Sequence, residues 1–181
     1  MRYLAAILAL PVLLSLVACS GGGDAAQDFA VGQVWAYRTR PVDEGSRLHI
    51  VRIDGDAEPG AIYHIQVDGL SLAHPFAADG VQHVLPHLPV AEATLRASVT
   101  KLLSTDAAHM PDISDAYAAW HEGFEAGEAG VFTVPVAEIV QNIEDAVNGR
   151  QRFGRISPDT RANLEHVAQL VDLHEAPGLD P

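Results

Sequence analysis

The chain has 181 residues, of which 48% are hydrophobic, and a formal net charge of −13 from 24 Asp and Glu against 11 Lys and Arg. This length allows one domain with a buried core, but not two, once an apolar N-terminal stretch is set aside. The acidic balance argues against nucleic-acid binding, which needs a basic face, and predicts repulsion from anionic lipid headgroups.

The first 18 residues have the architecture of a secretory signal peptide. Arg2 supplies a positive start, residues 4–16 form an apolar run, and Ala18 is a small residue at the expected cleavage point. The run is too short to predict a membrane-spanning helix. The only cysteine of the chain, Cys19, follows directly, so that residues 16–19 (Leu-Val-Ala-Cys) resemble the lipobox of bacterial lipoproteins.

The resemblance to the lipobox implies that Cys19 is acylated and becomes the N-terminus of a palmitoylated, membrane-anchored protein. Two or more acyl chains hold a protein on a membrane, whereas a single chain binds only marginally. The alternative is an ordinary secreted protein whose cysteine lies there by chance. With Cys19 acylated, no thiol remains for a disulfide, a zinc site or a cysteine nucleophile.

Residues 19–28 are rich in glycine and lack large apolar side chains, which predicts a flexible tether. In bacteria that sort lipoproteins by the residue after the cysteine, Ser20 favours the outer membrane, facing the periplasm, over the inner membrane. The expected location is therefore the bacterial cell envelope, with the membrane contacted through the lipid on Cys19.

The start of the folded domain, which we expect to span residues 29–149, has the pattern of β-strands. Alternating and β-branched residues predict strands within 29–39, at 47–53, at 61–67 and, as a short addition, at 70–72. The short connections between them predict an antiparallel meander. Residues 74–89 are rich in proline and histidine and are predicted to be irregular.

Helical periodicity follows Pro89. Apolar residues at helical spacing predict helices over 90–103, from Pro111 to about Gly127, and from Pro135 to Gly149. Strands that precede helices predict an α+β fold: a small antiparallel β-meander of three or four strands followed by three helices packed on one face. Residues 150–181 are predicted to be a C-terminal extension, partly helical and frayed at its end.

Three stretches of the domain, residues 32–41, 85–90 and 132–136, resemble an uncharacterised family of small bacterial proteins. The resemblance covers roughly residues 32–149. It implies a single domain within those limits and nothing about a mechanism, and it sets residues 150–181 apart as an addition of this chain.

Histidine is the most suggestive residue type for a site. His74, His83 and His87 lie in the segment 74–87, and His64 lies on a predicted strand. Converging imidazoles could bind a ligand, with His64 and His87 as contacts, or could bind zinc or copper through His74, His83 and His87. The alternative is a set of loop and surface histidines, because Pro86 interrupts any helical spacing and no cysteine remains to complete a metal site.

Arg38 and Arg40 stand at the end of the first predicted strand of an acidic protein. Guanidinium groups recognise carboxylates and phosphates, so both residues are candidates for binding an anionic ligand. The alternative is ion pairing with Asp43, Glu44 or the acidic helices.

A catalytic constellation is not evident in the sequence. It contains no Gly-x-Ser-x-Gly elbow, and the glycines at 21–23 neither follow a strand nor open a helix as in a phosphate-binding loop. We therefore predict a non-enzymatic envelope lipoprotein without a cofactor, which binds a protein or another envelope component. The alternatives are a periplasmic small-ligand or metal-binding lipoprotein that uses the segment 74–87 and, less favoured, a hydrolase with a dispersed site.

Overall fold

The computed structural model describes residues 28–55, 60–105 and 109–150. The predicted signal peptide, Cys19, all but the last residue of the tether, and the predicted helix of the C-terminal extension lie outside the described residues. Within them, the predicted α+β class is confirmed: a five-stranded antiparallel sheet is combined with three helices. None of the helices in these ranges is long and apolar enough to cross a membrane.

The first four strands form a meander, and a fifth strand follows the first helix along the chain. The strands are β1 (Gln33–Tyr37), β2 (Arg47–Asp54), β3 (Ile62–Ala73), β4 (Val81–Ala91) and β5 (Val99–Thr105). The helices are α1 (Glu92–Ser98), α2 (Ser114–Glu125) and α3 (Val136–Val147), and a 3-10 turn occupies Pro41–Asp43. The strand order in the sheet is β4-β3-β2-β1-β5, so β5 returns to pair with β1 at the far edge.

Successive residues of β3 point to opposite faces of the sheet. Tyr63, Ile65 and Val67 belong to the hydrophobic core, together with apolar residues of α1 and α3, and we call this side the inner face. His64 and Asp68 lie on the opposite side, which we call the outer face. Full burial of one side chain such as Ile65 contributes about 1.5–3 kcal/mol to folding, so the inner face supplies most of the stabilisation.

The sequence predicted that all three helices pack on one face of the sheet, but the structure places them on both faces. Residues Val136, Ile139, Val140 and Ile143 of α3 join the inner core. Tyr117 and Trp120 of α2 instead contact His64 on the outer face. The sheet is therefore covered by α1 and α3 on one side and by α2 on the other.

The prediction that residues 74–89 are irregular is wrong for residues 81–89, which belong to β4 (Val81–Ala91). Pro86 lies where the register between β3 and β4 shifts, between the pairs Ile65↔Leu88 and Val67↔Leu85. Proline is tolerated at such irregularities and on edge strands, because its missing N–H is not needed by a neighbour. The proline content therefore indicated an edge strand rather than an irregular loop.

The predicted helix over 90–103 is correct for α1 (Glu92–Ser98) and wrong on both sides of it, because residues 90–91 end β4 and Val99 begins β5. Val99 and Thr100 begin β5, which pairs with β1 through two register irregularities. β-branched residues favour strands when a neighbouring strand is available, and this pairing with β1, more than 60 residues earlier, outweighs the helical spacing. The predicted extended piece near 131–134 is present only as a single bridge between Phe132 and Val90.

Candidate functional site

A pair of buried histidines on the outer face is the most unusual polar feature of the domain. His64 of β3 is completely buried and His87 of β4 is 3% exposed. Their rings stack with centroids 5.1 Å apart and planes 12° from parallel. His64 Nδ1 lies 2.9 Å from His87 Nε2, within hydrogen-bonding distance.

Asp54, at the end of β2, accepts hydrogen bonds at one end of this pair. Its Oδ2 lies 3.2 Å from His64 Nε2 and accepts a 2.6 Å hydrogen bond from the Tyr117 hydroxyl. Arg52 Nε donates to Oδ1 at 2.7 Å. Because an ionised carboxylate only accepts hydrogen bonds, His64 donates from Nε2, and its Nδ1 then accepts a hydrogen bond from His87 Nε2–H.

The amphipathic stripe of α2 covers this polar cluster with aromatic rings. Trp120 and Tyr117 lie edge-on to His64, with centroid distances of 4.8 and 5.0 Å. Trp120 Nε1 donates to the Gly130 carbonyl at 3.0 Å, which satisfies the indole where it is buried. The Arg52 guanidinium lies 4.0 Å from the centre of the Tyr117 ring, a cation–π distance.

The electrostatics of the cluster favour a neutral His64 imidazole at neutral pH. Burial lowers the pKa of His64 to about 4, although the neighbouring Asp54 carboxylate acts in the opposite direction. Partial burial tends to raise the pKa of Asp54, but hydrogen bonds from Tyr117 and Arg52 outweigh it and hold that pKa below its ordinary value. The chain of hydrogen bonds from His87 through His64 to Asp54 can hold or relay a proton. Its two imidazoles, however, do not face solvent.

Arg40 was a candidate for binding an anionic ligand, with ion pairing inside the protein as the alternative. The structure shows that alternative, a network of buried ion pairs. The Nε of Arg40 donates to Asp43 at 2.5 Å and its Nη1 to Glu144 at 2.9 Å. Asp43 also accepts a hydrogen bond from the Ser71 amide, and Glu144 one from the Ala73 amide. The network joins the 3-10 turn, β3 and α3, and with Arg40 only 9% exposed it stabilises the fold rather than facing a ligand.

The structure does not bring the other predicted residues together. Arg38 is exposed and donates to the Ala97 carbonyl at 2.6 Å. His83 contacts the Leu70 carbonyl at 2.8 Å and Asp79 at 3.5 Å. His74 is buried and accepts a 3.3 Å hydrogen bond from the Phe76 amide. Across residues 28–55, 60–105 and 109–150, no three His, Asp or Glu side chains are placed to hold a metal ion.

A pocket of ≈ 180 Å³ opens on the outer face, away from the histidine pair. We call it the outer-face pocket. It lies between β1, β2, the end of β5 and the segment that precedes α2, and its lining includes Arg47, His49, Ser104, His109, Met110 and Pro111. Arg47 is 53% exposed, so that a ligand in the pocket can reach it.

Asp68 orients two side chains of the outer-face pocket. Arg47 donates to it from Nε and Nη2 at 3.0 and 2.9 Å, a bidentate ion pair. His49 Nε2 lies 2.8 Å from the same carboxylate. Sequence reasoning missed these residues, because Arg47, His49 and Asp68 become neighbours only through the pairing of β2 with β3.

In comparisons with known proteins, the chain matches no protein-family model, no curated protein and no solved structure. The functional argument therefore depends on the residues and the geometry described above.

Proposed function

We propose that the protein is a lipid-anchored lipoprotein of the bacterial cell envelope that binds an envelope component through the outer-face pocket. Cys19 would carry the lipid, residues 19–28 would form the tether, and the α+β domain would be the binding module. A tether of this length has an r.m.s. reach of roughly 15–20 Å, which lets the acidic domain stand away from anionic headgroups.

The observation that carries the proposal is the division of the polar side chains on the outer face. His64 and His87, the groups best suited to acid–base chemistry, are buried under α2 and hydrogen-bonded to each other, and His64 is also bonded to Asp54. Arg47, His49 and Ser104 instead surround an open pocket. Groups that bind a ligand must be reachable from solvent, and this favours the pocket over the histidine pair as the working site.

The lipid anchor is tested by growing cells that express the full-length chain with an alkyne-bearing fatty acid and measuring the label on the protein. We expect the wild type to be labelled and to fractionate with membranes. The Cys19→Ser variant should lose both the label and the membrane fraction. A labelled Cys19→Ser variant, or an unlabelled wild type, would contradict the anchor.

The binding role is tested by chemical crosslinking of the full-length protein in intact cells, followed by mass spectrometry of the captured species. We expect one component to be captured at a yield well above that of an unrelated lipoprotein expressed at the same level. Capture at the background level, together with turnover of an envelope substrate that is abolished by His64→Gln, would replace the proposal with an enzymatic function.

A further inference from the structure

The sheet register places basic and polar side chains in two rows on the outer face. Arg47 and Lys101 both pair with Ala36, from opposite sides, so the three side chains point to the same face. His49 and Ser104 likewise both pair with Val34 in the neighbouring row. The rows cross β2, β1 and β5, and Ala36 of β1 lies between Arg47 and Lys101, whose backbones lie roughly 10 Å apart.

Most arginines that the structure describes in this acidic domain pair with carboxylates. Four arginines pair closely with carboxylates elsewhere: Arg40 with Asp43 and Glu144, Arg52 with Asp54, Arg96 with Glu92, and Arg150 with Glu144 and Asp145. Lys101, the only lysine of the chain, makes no ion pair with any residue that the structure describes. Arg47 and Lys101 are neighbouring cations on the outer face, one on each side of Ala36.

Asp68 holds the Arg47 guanidinium in place and leaves some of its N–H donors available for a ligand. The carboxylate takes the Nε and Nη2 donors of the guanidinium, which leaves the Nη1 donors for another acceptor. A side chain that is already held by one ion pair loses less conformational entropy when it binds a ligand. The Ser104 hydroxyl, which lines the same pocket, supplies a neutral donor near the cations.

We infer that the outer-face pocket recognises an oxyanion, the phosphate or carboxylate group of its ligand, with Arg47 as the main contact and Ser104 beside it in the lining. Lys101 lies outside the lining and adds a neighbouring positive charge from β5. The inference deepens the proposed function by naming the ligand class of the same site. A pocket of ≈ 180 Å³ admits one such group. Met110 and Pro111 line its side toward α2 and present apolar surface to the remainder of the ligand.

The test is a calorimetric titration of the purified full-length protein, in detergent and at low ionic strength, with inorganic phosphate as the probe. Arg47→Gln removes the main contact. Arg96→Gln is the matched control, because Arg96 is an exposed arginine that also pairs with one carboxylate, on α1 away from the pocket. We expect saturable binding by the wild type, weakening by roughly tenfold in Arg47→Gln, and a change of less than twofold in Arg96→Gln.

A wild type without saturable binding would overturn the inference, as would equal weakening in the two arginine variants. Thermal unfolding of each variant, measured in the same buffer, shows that it is folded. Lys101→Gln provides a second variant, at an exposed position, and we expect it to weaken phosphate binding by a smaller factor than Arg47→Gln.

A competition experiment distinguishes a free anion from an anion carried by a larger component. Phosphate is added to isolated envelopes before crosslinking, and the yield of the captured component is measured. A lower yield indicates that the captured component presents the oxyanion, and an unchanged yield with saturable binding indicates a free small anion as the ligand. If capture succeeds and phosphate fails to bind, the proposed function stands and the oxyanion inference falls.

Discussion

The two faces of the sheet are covered in different ways. The inner face packs Leu48, Ile50 and Ile65 against α1 and α3, all with no exposed surface. The outer face places His64 and His87 beneath α2, with Asp54 and the half-exposed Arg52 at its edge, and hydrogen bonds and aromatic rings make the contact. One sheet thus carries a non-directional apolar layer on one side and a directional polar layer on the other.

The difference between the two layers indicates which face of the domain is suited to a functional site. Apolar packing tolerates changes of residue type as long as volume is kept, whereas a buried hydrogen-bonded cluster requires each partner in its place. The outer face therefore specifies the position of α2, and with it residues 109–111, which border the outer-face pocket. The predictions below separate the two layers, from the largest expected effect to the smallest.

Ile65→Ala should have the largest effect, because it leaves a cavity in the inner layer. We expect the free energy of unfolding to fall by about 2–5 kcal/mol, measured by denaturant unfolding at pH 7. Leu102→Ala is the matched control, since Leu102 is 40% exposed on β5. Its cost should be much smaller, and equal costs at the two positions would contradict the location of the core.

Acidification should weaken the outer layer. The ordinary pKa of histidine is 6.5 and that of His64 in the folded protein is lowered to about 4, so the unfolded chain takes up the proton first. Stability should therefore be complete above pH 6.5 and fall as the pH drops toward 4, by about 3 kcal/mol in total from this group.

The pH dependence is checked by denaturant unfolding between pH 7 and 4. His64→Gln, which cannot titrate, should show a flatter dependence over that range. His83→Gln removes an exposed histidine and should keep the steep wild-type dependence. A His64→Gln variant as steep as the wild type would mean that His64 is not the titrating group.

Asp54→Ala should loosen α2 without disturbing the inner layer. It leaves the Tyr117 hydroxyl and His64 Nε2 without their acceptor, at a cost of about 1–3 kcal/mol. Hydrogen exchange should show faster exchange of α2 amides and unchanged protection in α3. Asp79→Ala, at a carboxylate that is 66% exposed, is the control, and comparable loss there would rule out a special role for Asp54.

Tyr117→Phe should have the smallest effect, because it removes one hydrogen bond and keeps the aromatic contacts with His64 and Trp120. We expect a loss of about 0.5–1.5 kcal/mol in the free energy of unfolding. Tyr63→Phe is a suitable comparison, since Tyr63 is a buried tyrosine of the inner core whose hydroxyl has no hydrogen-bond partner among the described residues. A larger loss in Tyr63→Phe would contradict the assignment of the Tyr117 hydroxyl to Asp54.

Local patterns in the sequence predicted much of the fold. The alternation around Trp35 and the β-branched run after Arg47 correspond to β1 and β2, and the apolar stripe of α3 lies in the core as expected. The prediction failed at β4 and β5, where the deciding interaction is with a strand elsewhere in the chain. Pairing with β3 allows Pro86 within a strand, and pairing with β1 extends Val99–Thr105 instead of continuing α1.

The candidate sites were predicted only in part for the same reason. His64 and His87 were each recognised as candidates, but their stacking on each other depends on the register of β3 and β4, which one sequence does not reveal. Asp54 resembled an ordinary turn residue at the end of a strand. The cross-strand neighbours Arg47, His49 and Asp68 belong to no short motif, because their spacing of 19 to 21 residues reflects a hairpin rather than a local pattern.

The central claim, that the outer face is the binding face, is tested most directly by site-specific photocrosslinking in living cells. A photoreactive amino acid is placed in the full-length protein at Ser104 in the outer-face pocket or, as the control, at Glu138, an exposed position on α3. We predict that the crosslinked envelope component forms from position 104 and not from position 138. Capture from position 138 alone, or equal capture from both positions, would contradict the claim.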